Sequence, residues 1–196
     1  MTSLVLASIS AIRARILNDA GIQFTIQPAH VDEDTVKASM RGAVGEAIAA
    51  ALAERKALAV STSRPGDLVL GADQVLVLGD ELISKAETLE AAAVQLRKLR
   101  GRRHQLTGAL VLAKGGAPIW HHVEVSTLWV RDFSDAFLDA YLKTEGEAVL
   151  GSVGCYRYEG PGVQLFERVE GDYFSILGLS LMPLLAALRD QDVLAR

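Results

Sequence analysis

Leu68-Val69-Leu70-Gly71-Ala72-Asp73-Gln74-Val75-Leu76-Val77-Leu78 places a carboxylate in the middle of an apolar run. Leu68-Val69-Leu70 reads as a buried strand, and Val75 to Leu78 continues it toward a Gly79-Asp80 turn. Working outward, the Arg41 to Ser61 segment that precedes it has Val44, Ala47, Ile48, Ala51 and Leu52 at helical spacing. Thr88 begins a second helix through Ala92, Leu96 and Leu99 that Gly101 ends. Earlier still, Leu4 to Ala7 and Phe24 to Ile26 read as short strands, with a Ser10-capped helix between them. Strands that alternate with helices predict an α/β fold. Downstream, Gln105 to Leu112 and Val123 to Val130 form a long strand pair, so the sheet is expected to be mixed and flanked by helices. Ser134 to Lys143 reads as a short helix, the Gly-rich stretch from Gly151 as a strand region, and Pro183 to Leu188 as a final helix.

The chain has 196 residues, half of them hydrophobic, which suffices for one compact domain with a substantial core. Its formal charge of −4, with no basic stripe interleaved with aromatics, argues against a nucleic-acid partner. Cys155 is the single cysteine, which excludes an internal disulfide framework and fits a reducing, cytoplasmic setting. The apolar stretch from Tyr173 to Leu188 is interrupted by Gly178, Ser180 and Pro183 and is too short to cross a membrane. No Lys or Arg precedes the first apolar run, so no secretory signal is expected.

Four polar clusters stand where a core would favour none. Ser8-Ile9-Ser10-Ala11-Ile12-Arg13 puts hydroxyls, free helix N–H groups and a guanidinium in one place, the makings of a phosphate site. An ordinary Ser cap beside a solvated Arg is the plainer alternative. Asp32-Glu33-Asp34 is expected in a loop and offers carboxylates to a hard cation such as Mg²⁺; a solvated loop or a helix start competes with that reading. Asp73, among small neighbours on its strand, suits a catalytic carboxylate. Lys56 and Lys85 can each neutralise polyphosphate, although a lone Lys is commonly a surface residue. His121 and His122 point to opposite faces of a strand, and His104 is expected in a solvated turn beside Arg102-Arg103. No Walker loop and no nucleophile elbow is present.

Leu6-Ala7-Ser8-Ile9-Ser10-Ala11-Ile12-Arg13, Val31-Asp32-Glu33, Gly71-Ala72-Asp73-Gln74, Ser84-Lys85, Thr107-Gly108, the Tyr141 to Glu147 segment and Gly171-Asp172-Tyr173-Phe174-Ser175-Ile176-Leu177-Gly178-Leu179 follow one another in an order that resembles the Maf family. The likeness covers nearly the whole chain and implies one domain over residues 1–196. It also implies two lobes around a cleft, as in inosine triphosphatases. The activity so implied is cleavage of a nucleoside triphosphate to its monophosphate and pyrophosphate, with a divalent cation (Mg²⁺ or Mn²⁺) and commonly a homodimer. Carried over position by position, Asp73 matches the catalytic acid and metal ligand. Ser8, Arg13, Lys56 and Lys85 match phosphate-binding residues, and Glu33 matches a metal ligand.

Gln74 and Glu159 are similar to the 7-methyl-GTP-type branch, in which a carboxylate at 159 accepts from N1–H and the exocyclic amine of guanine. That branch has Trp where this chain has Ile12, so a cation–π contact worth about 0.5–2 kcal/mol has no aromatic face here. The family's name comes from inhibited septum formation, which leaves a competing expectation: a non-catalytic regulator that binds nucleotides or partners. Retention of Glu33 and Asp73 favours the enzyme.

Overall fold

A computed structural model describes residues 3–195. Among them, seven strands form one mixed sheet: β1 (Leu4–Leu6), β2 (Phe24–Ile26), β3 (Leu68–Leu78), β4 (Glu81–Ile83), β5 (Arg103–Lys114), β6 (Ala117–Val130) and β7 (Phe166–Glu170). Their order is β2-β1-β3-β5-β6-β7, with β4 on β3. The flanking helices are α1 (Ala11–Asp19), α2 (Glu33–Ser39), α3 (Gly45–Ser61), α4 (Leu89–Leu99), α5 (Asp135–Glu145), α6 (Tyr173–Ile176) and α7 (Leu181–Asp190). None of these helices is long and apolar enough to cross a membrane.

The chain divides into two compact units. The first holds residues up to Gln74, Gly108–Glu124 and everything from Asp172; the second holds Val75–Thr107 and Val125–Gly171. In the first unit β1 pairs in parallel with both β2 and β3, in register Leu6↔Ile26 and Leu6↔Leu70. These strands are wholly apolar and buried in β1 and at the start of β3, as expected for parallel strands covered on both faces. The chain leaves β1 for β2 on one side and returns to β3 on the other, so the carboxyl ends of β1 and β3 form a topological switch point. Helix α3 lies against β3 at Gly71, where a Cβ would stand 2.2 Å from the Ala53 carbonyl oxygen and 2.6 Å from the Ala57 nitrogen. Only glycine permits that approach.

Several local expectations change. The three acids are a helix start instead of a loop: Asp32 caps α2, its Oδ1 accepting from the Thr35 N–H at 3.0 Å, and Glu33 and Asp34 occupy the first turn. Carboxylates there complement the positive end of the helix. Helix α3 begins at Gly45, and residues 41–44 form a turn around Gly42, whose φ of +85° ends any helix. The stretch after Gly151 is no strand region. A 3₁₀ turn over Gly146–Gly151 and another over Pro161–Leu165 precede β7, which begins only at Phe166. Its glycines offer nothing to pack on a pleated face, and Pro161 lacks an N–H for the ladder.

In the second unit β5 begins early enough to include His104, whose alternation turns it inward rather than into a solvated turn. It is 1% exposed, and its Nε2 lies 2.7 Å from the Tyr156 hydroxyl. Burial pulls the imidazole down to about 4 from an ordinary value of 6.5. The unfolded chain therefore binds a proton between those values that the folded chain refuses, so this contribution is intact above 6.5 and is lost as pH falls toward 4. Urea titrations at pH 8 and pH 5 are expected to differ by about 2 kcal/mol through this group. His104→Gln is expected to flatten that acid limb; a limb of unchanged size in the variant contradicts the assignment.

Candidate active site

The switch point gathers charge. Residue Ser8 follows β1 directly, and Ser10 caps α1, its hydroxyl lying 3.5 Å from the Arg13 N–H. One turn into α1, Arg13 is buried and folds back over the strand ends. Its Nε donates to the Gly178 carbonyl at 2.9 Å, and its Nη1 to the Ala72 carbonyl at 3.0 Å and the Ser8 hydroxyl at 3.2 Å. These bonds occupy three of the five guanidinium N–H groups and fix its plane, which leaves the Nη2 pair for a phosphate oxygen. Burial lowers the Arg13 pKa, with the Asp73 and Glu33 carboxylates opposing it. Arginine remains cationic across the working range all the same. The plainer reading, a solvated Arg beside a Ser cap, is thereby corrected: the cap is real and the Arg is buried.

Next to Ala72, Asp73 is 6% exposed. The Lys56 ammonium, two-thirds of the way along α3, lies 2.6 Å from Asp73 Oδ1 and 2.7 Å from Glu33 Oε1. Lys37, one turn beyond Glu33, approaches its other oxygen at 3.5 Å. Burial pushes the Glu33 carboxyl up, and the bond and charge of Lys56, helped by Lys37, more than reverse this, leaving its pKa below the ordinary range. The two carboxyl groups thus share the Lys56 ammonium, and Lys56 is no surface lysine. Gln74 turns the other way, its Nε2 donating to the carbonyls of Ser175 at 2.9 Å and Ile176 at 3.2 Å. Ile12 is half-buried on α1.

The first unit thus brings together Ser8, Arg13, Glu33, Lys56, Asp73 and Gln74. Lys85 and Glu159 belong to the second unit. Lys85 follows β4 at an exposed position. Glu159, whose side chain is 11% exposed, pairs at 3.4 Å with Arg157, which also holds Glu145 at 3.2 Å. Two contributors lay beyond the reading of the sequence. Lys37 looks like any exposed helix residue until α2 places it one turn from Glu33. The carbonyl of Gly178 has no side-chain signal; the φ of +92° at this glycine is what aims the turn.

The donor set suits a hard divalent cation. Two carboxylates already bracket one positive group at contact distance, and both offer oxygen. Among the described residues no group of three or more His, Cys, Asp and Glu forms a protein-only cage. Mg²⁺ commonly takes one or two carboxylates and completes its shell with phosphate and water, so Asp73 and Glu33 fit such an ion.

Together the fold and this cluster define a class: an open α/β protein with charged side chains gathered at the carboxyl ends of adjacent parallel strands, where such sheets bind ligands. The family description "Maf-like protein" matches residues 3–191, and the chain belongs to that family. It is 53% identical to a nucleoside triphosphate pyrophosphatase of Granulibacter bethesdensis, over 97% of this chain and 98% of that protein. A nucleoside triphosphate pyrophosphatase of Caulobacter vibrioides is 52% identical, over 96% of each chain. A 7-methyl-GTP pyrophosphatase of Brucella abortus is 48% identical, over 95% of this chain and 94% of that one.

Proposed function

We propose that this protein hydrolyses nucleoside triphosphates to the monophosphate and pyrophosphate, with a guanine or modified guanine base such as 7-methylguanine preferred. The observation that carries the reading is the Asp73–Lys56–Glu33 bridge beside an Arg13 anchored on the Ala72 carbonyl. Such an arrangement offers cations to a polyphosphate and carboxylate oxygens at its edge. The relatives' names supply the substrate class.

In this mechanism Asp73 orients a water and takes its proton while the water oxygen attacks the α-phosphorus. The α–β anhydride bond breaks, and its electron pair leaves on the bridging oxygen, which becomes part of pyrophosphate. Arg13 and Lys56 hold phosphate oxygens and stabilise the charge that grows there. Asp73 and Glu33 would hold Mg²⁺ or Mn²⁺, which when bound neutralises phosphate charge as a Lewis acid. Lys85 is assigned to the same polyphosphate and Glu159 to the base through the family resemblance. The homodimer and the cytoplasmic setting rest on that resemblance too.

A panel of ordinary and modified nucleoside triphosphates, assayed for pyrophosphate release with Mg²⁺ or Mn²⁺, tests the reading. Guanine nucleotides are expected to lead; preference for dTTP or UTP overturns the base assignment. Glu159→Gln is expected to lower kcat/KM for guanine substrates about tenfold or more, the effect of removing a charge-assisted bond pair. An unchanged ratio between guanine and pyrimidine substrates removes Glu159 from recognition.

A further inference from the structure

The turn that follows Gly171 makes contacts that catalysis as described does not use. Ser175, 3% exposed, stands at the centre of a small polar cluster. Its hydroxyl lies 2.9 Å from Glu124 Oε2, 3.1 Å from Asp172 Oδ2 and 2.9 Å from the Ser180 hydroxyl. Its backbone N–H donates to Asp172 Oδ2 at 2.8 Å, capping the short α6. Glu124, on β6, also meets His122 Nε2 at 3.2 Å. Burial pushes the Glu124 carboxyl up, and its bonds from Ser175, His122 and Ser180 bring it below the ordinary range, so it acts as an ionised acceptor. Hydrogen bonds to an ionised acceptor are about twice as strong as neutral ones, so the Ser175 side chain is firmly held.

Ser175 is also the residue whose carbonyl accepts from Gln74, and Ile176 supplies the second acceptor. Two carbonyls around one amide nitrogen define its orientation: the NH₂ group faces both, and Oε1 is left as the other hydrogen-bonding atom. Gly178 adjoins that oxygen: a Cβ there would stand 3.6 Å from Gln74 Oε1, at ordinary contact distance. The chain Glu124–Ser175–Gln74 therefore connects a carboxylate on β6 to a side chain adjoining Asp73.

We infer that Ser175, held by Glu124, is a positioning residue that sets the amide of Gln74 for substrate. The inference rests on the proposed pyrophosphatase reading for its kinetic readout, and its spectroscopic readout is independent of that reading. In ¹⁵N spectra of the full chain, Ser175→Ala is expected to shift the Gln74 side-chain amide signals, whereas Gly66→Ala, remote from the turn, leaves them in place. In the pyrophosphate-release assay, Ser175→Ala and Gln74→Ala are each expected to lower kcat/KM about tenfold or more. The double variant is expected to be no worse than the more impaired single one, because both changes remove the same placement. Glu124→Ala is expected to behave like Ser175→Ala, and Glu124→Gln, which keeps an acceptor oxygen, to recover most of the loss. Glu124→Ala carries the test if Ser175→Ala fails to fold. Unshifted Gln74 signals in a folded variant, or losses that add in the double variant, overturn the inference. A wild-type chain that releases no pyrophosphate refutes the proposed function, and the spectra then decide the positioning claim alone.

Discussion

Asp73→Asn is expected to lower pyrophosphate release by about a thousandfold or more while leaving the fold intact. The substitution keeps the shape of the side chain and removes its charge and basicity, and general bases typically contribute 10²–10⁴-fold. Lys56 retains Glu33 as a partner at 2.7 Å, so no buried cation is stranded and the thermal transition should stay close to that of the wild type. Binding of a non-hydrolysable triphosphate should survive within about tenfold, since Arg13 keeps its bonds to Gly178, Ala72 and Ser8. Raising the cation concentration separates two roles for the carboxylate. Recovery of the rate at high Mg²⁺ assigns Asp73 chiefly to holding the ion; no recovery assigns it to the water. Near-wild-type turnover in the variant removes Asp73 from the chemistry altogether.

The second large effect concerns a residue with no chemistry of its own. Gly71→Ala is expected to destabilise the protein by about 3 kcal/mol or more, the upper end of overpacking. The added methyl would stand 2.2 Å from the Ala53 oxygen, 2.6 Å from the Ala57 nitrogen and 2.8 Å from the Ala57 Cβ. Two of those atoms are backbone, so no rotamer change relieves the clash and α3 must move off β3. Lys56 precedes Ala57, so the same movement would pull the ammonium from Asp73 and Glu33. Urea titration should therefore show a lower midpoint, and the residual folded enzyme a lower kcat. Gly66→Ala serves as the control: nothing lies within 4 Å of its Cβ position, and its effect should stay within about 0.5 kcal/mol. Equal stability of the two variants contradicts the account of how α3 is seated.

These two positions show what was legible in the chain and what was not. Alternation of strand and helix needs only local periodicity, so β1, α1, β2, α4 and the long β5 stand close to where their residues place them, whereas β6 begins at Ala117 and not at Val123. Ser10, Thr88 and Ser134 cap their helices because a side-chain acceptor beside free N–H groups is a local signal. Asp73 was conspicuous for a similarly local reason, a carboxylate inside an apolar strand. By contrast, the pairing of Lys56 with Asp73 depends on how closely α3 approaches β3, and that distance is set by Gly71. The hold of Arg13 depends on the carbonyl of Gly178 far along the chain. Backbone acceptors carry no residue signature, so such contacts emerge only once the chain is folded. The inward turn of His104 has no local signal, because the preceding Gly101, Arg102 and Arg103 imitate a loop.

One measurement tests most directly whether this charged cluster drives attack at the α-phosphorus. Hydrolysis of 7-methyl-GTP in ¹⁸O-enriched water, with the products resolved by mass spectrometry, reports which phosphorus the water oxygen joins. A single ¹⁸O is expected in the nucleoside monophosphate, with unlabelled pyrophosphate and with both products lost in Asp73→Asn. Label in the pyrophosphate, or release of inorganic phosphate as the first product, would contradict attack at the α-phosphorus.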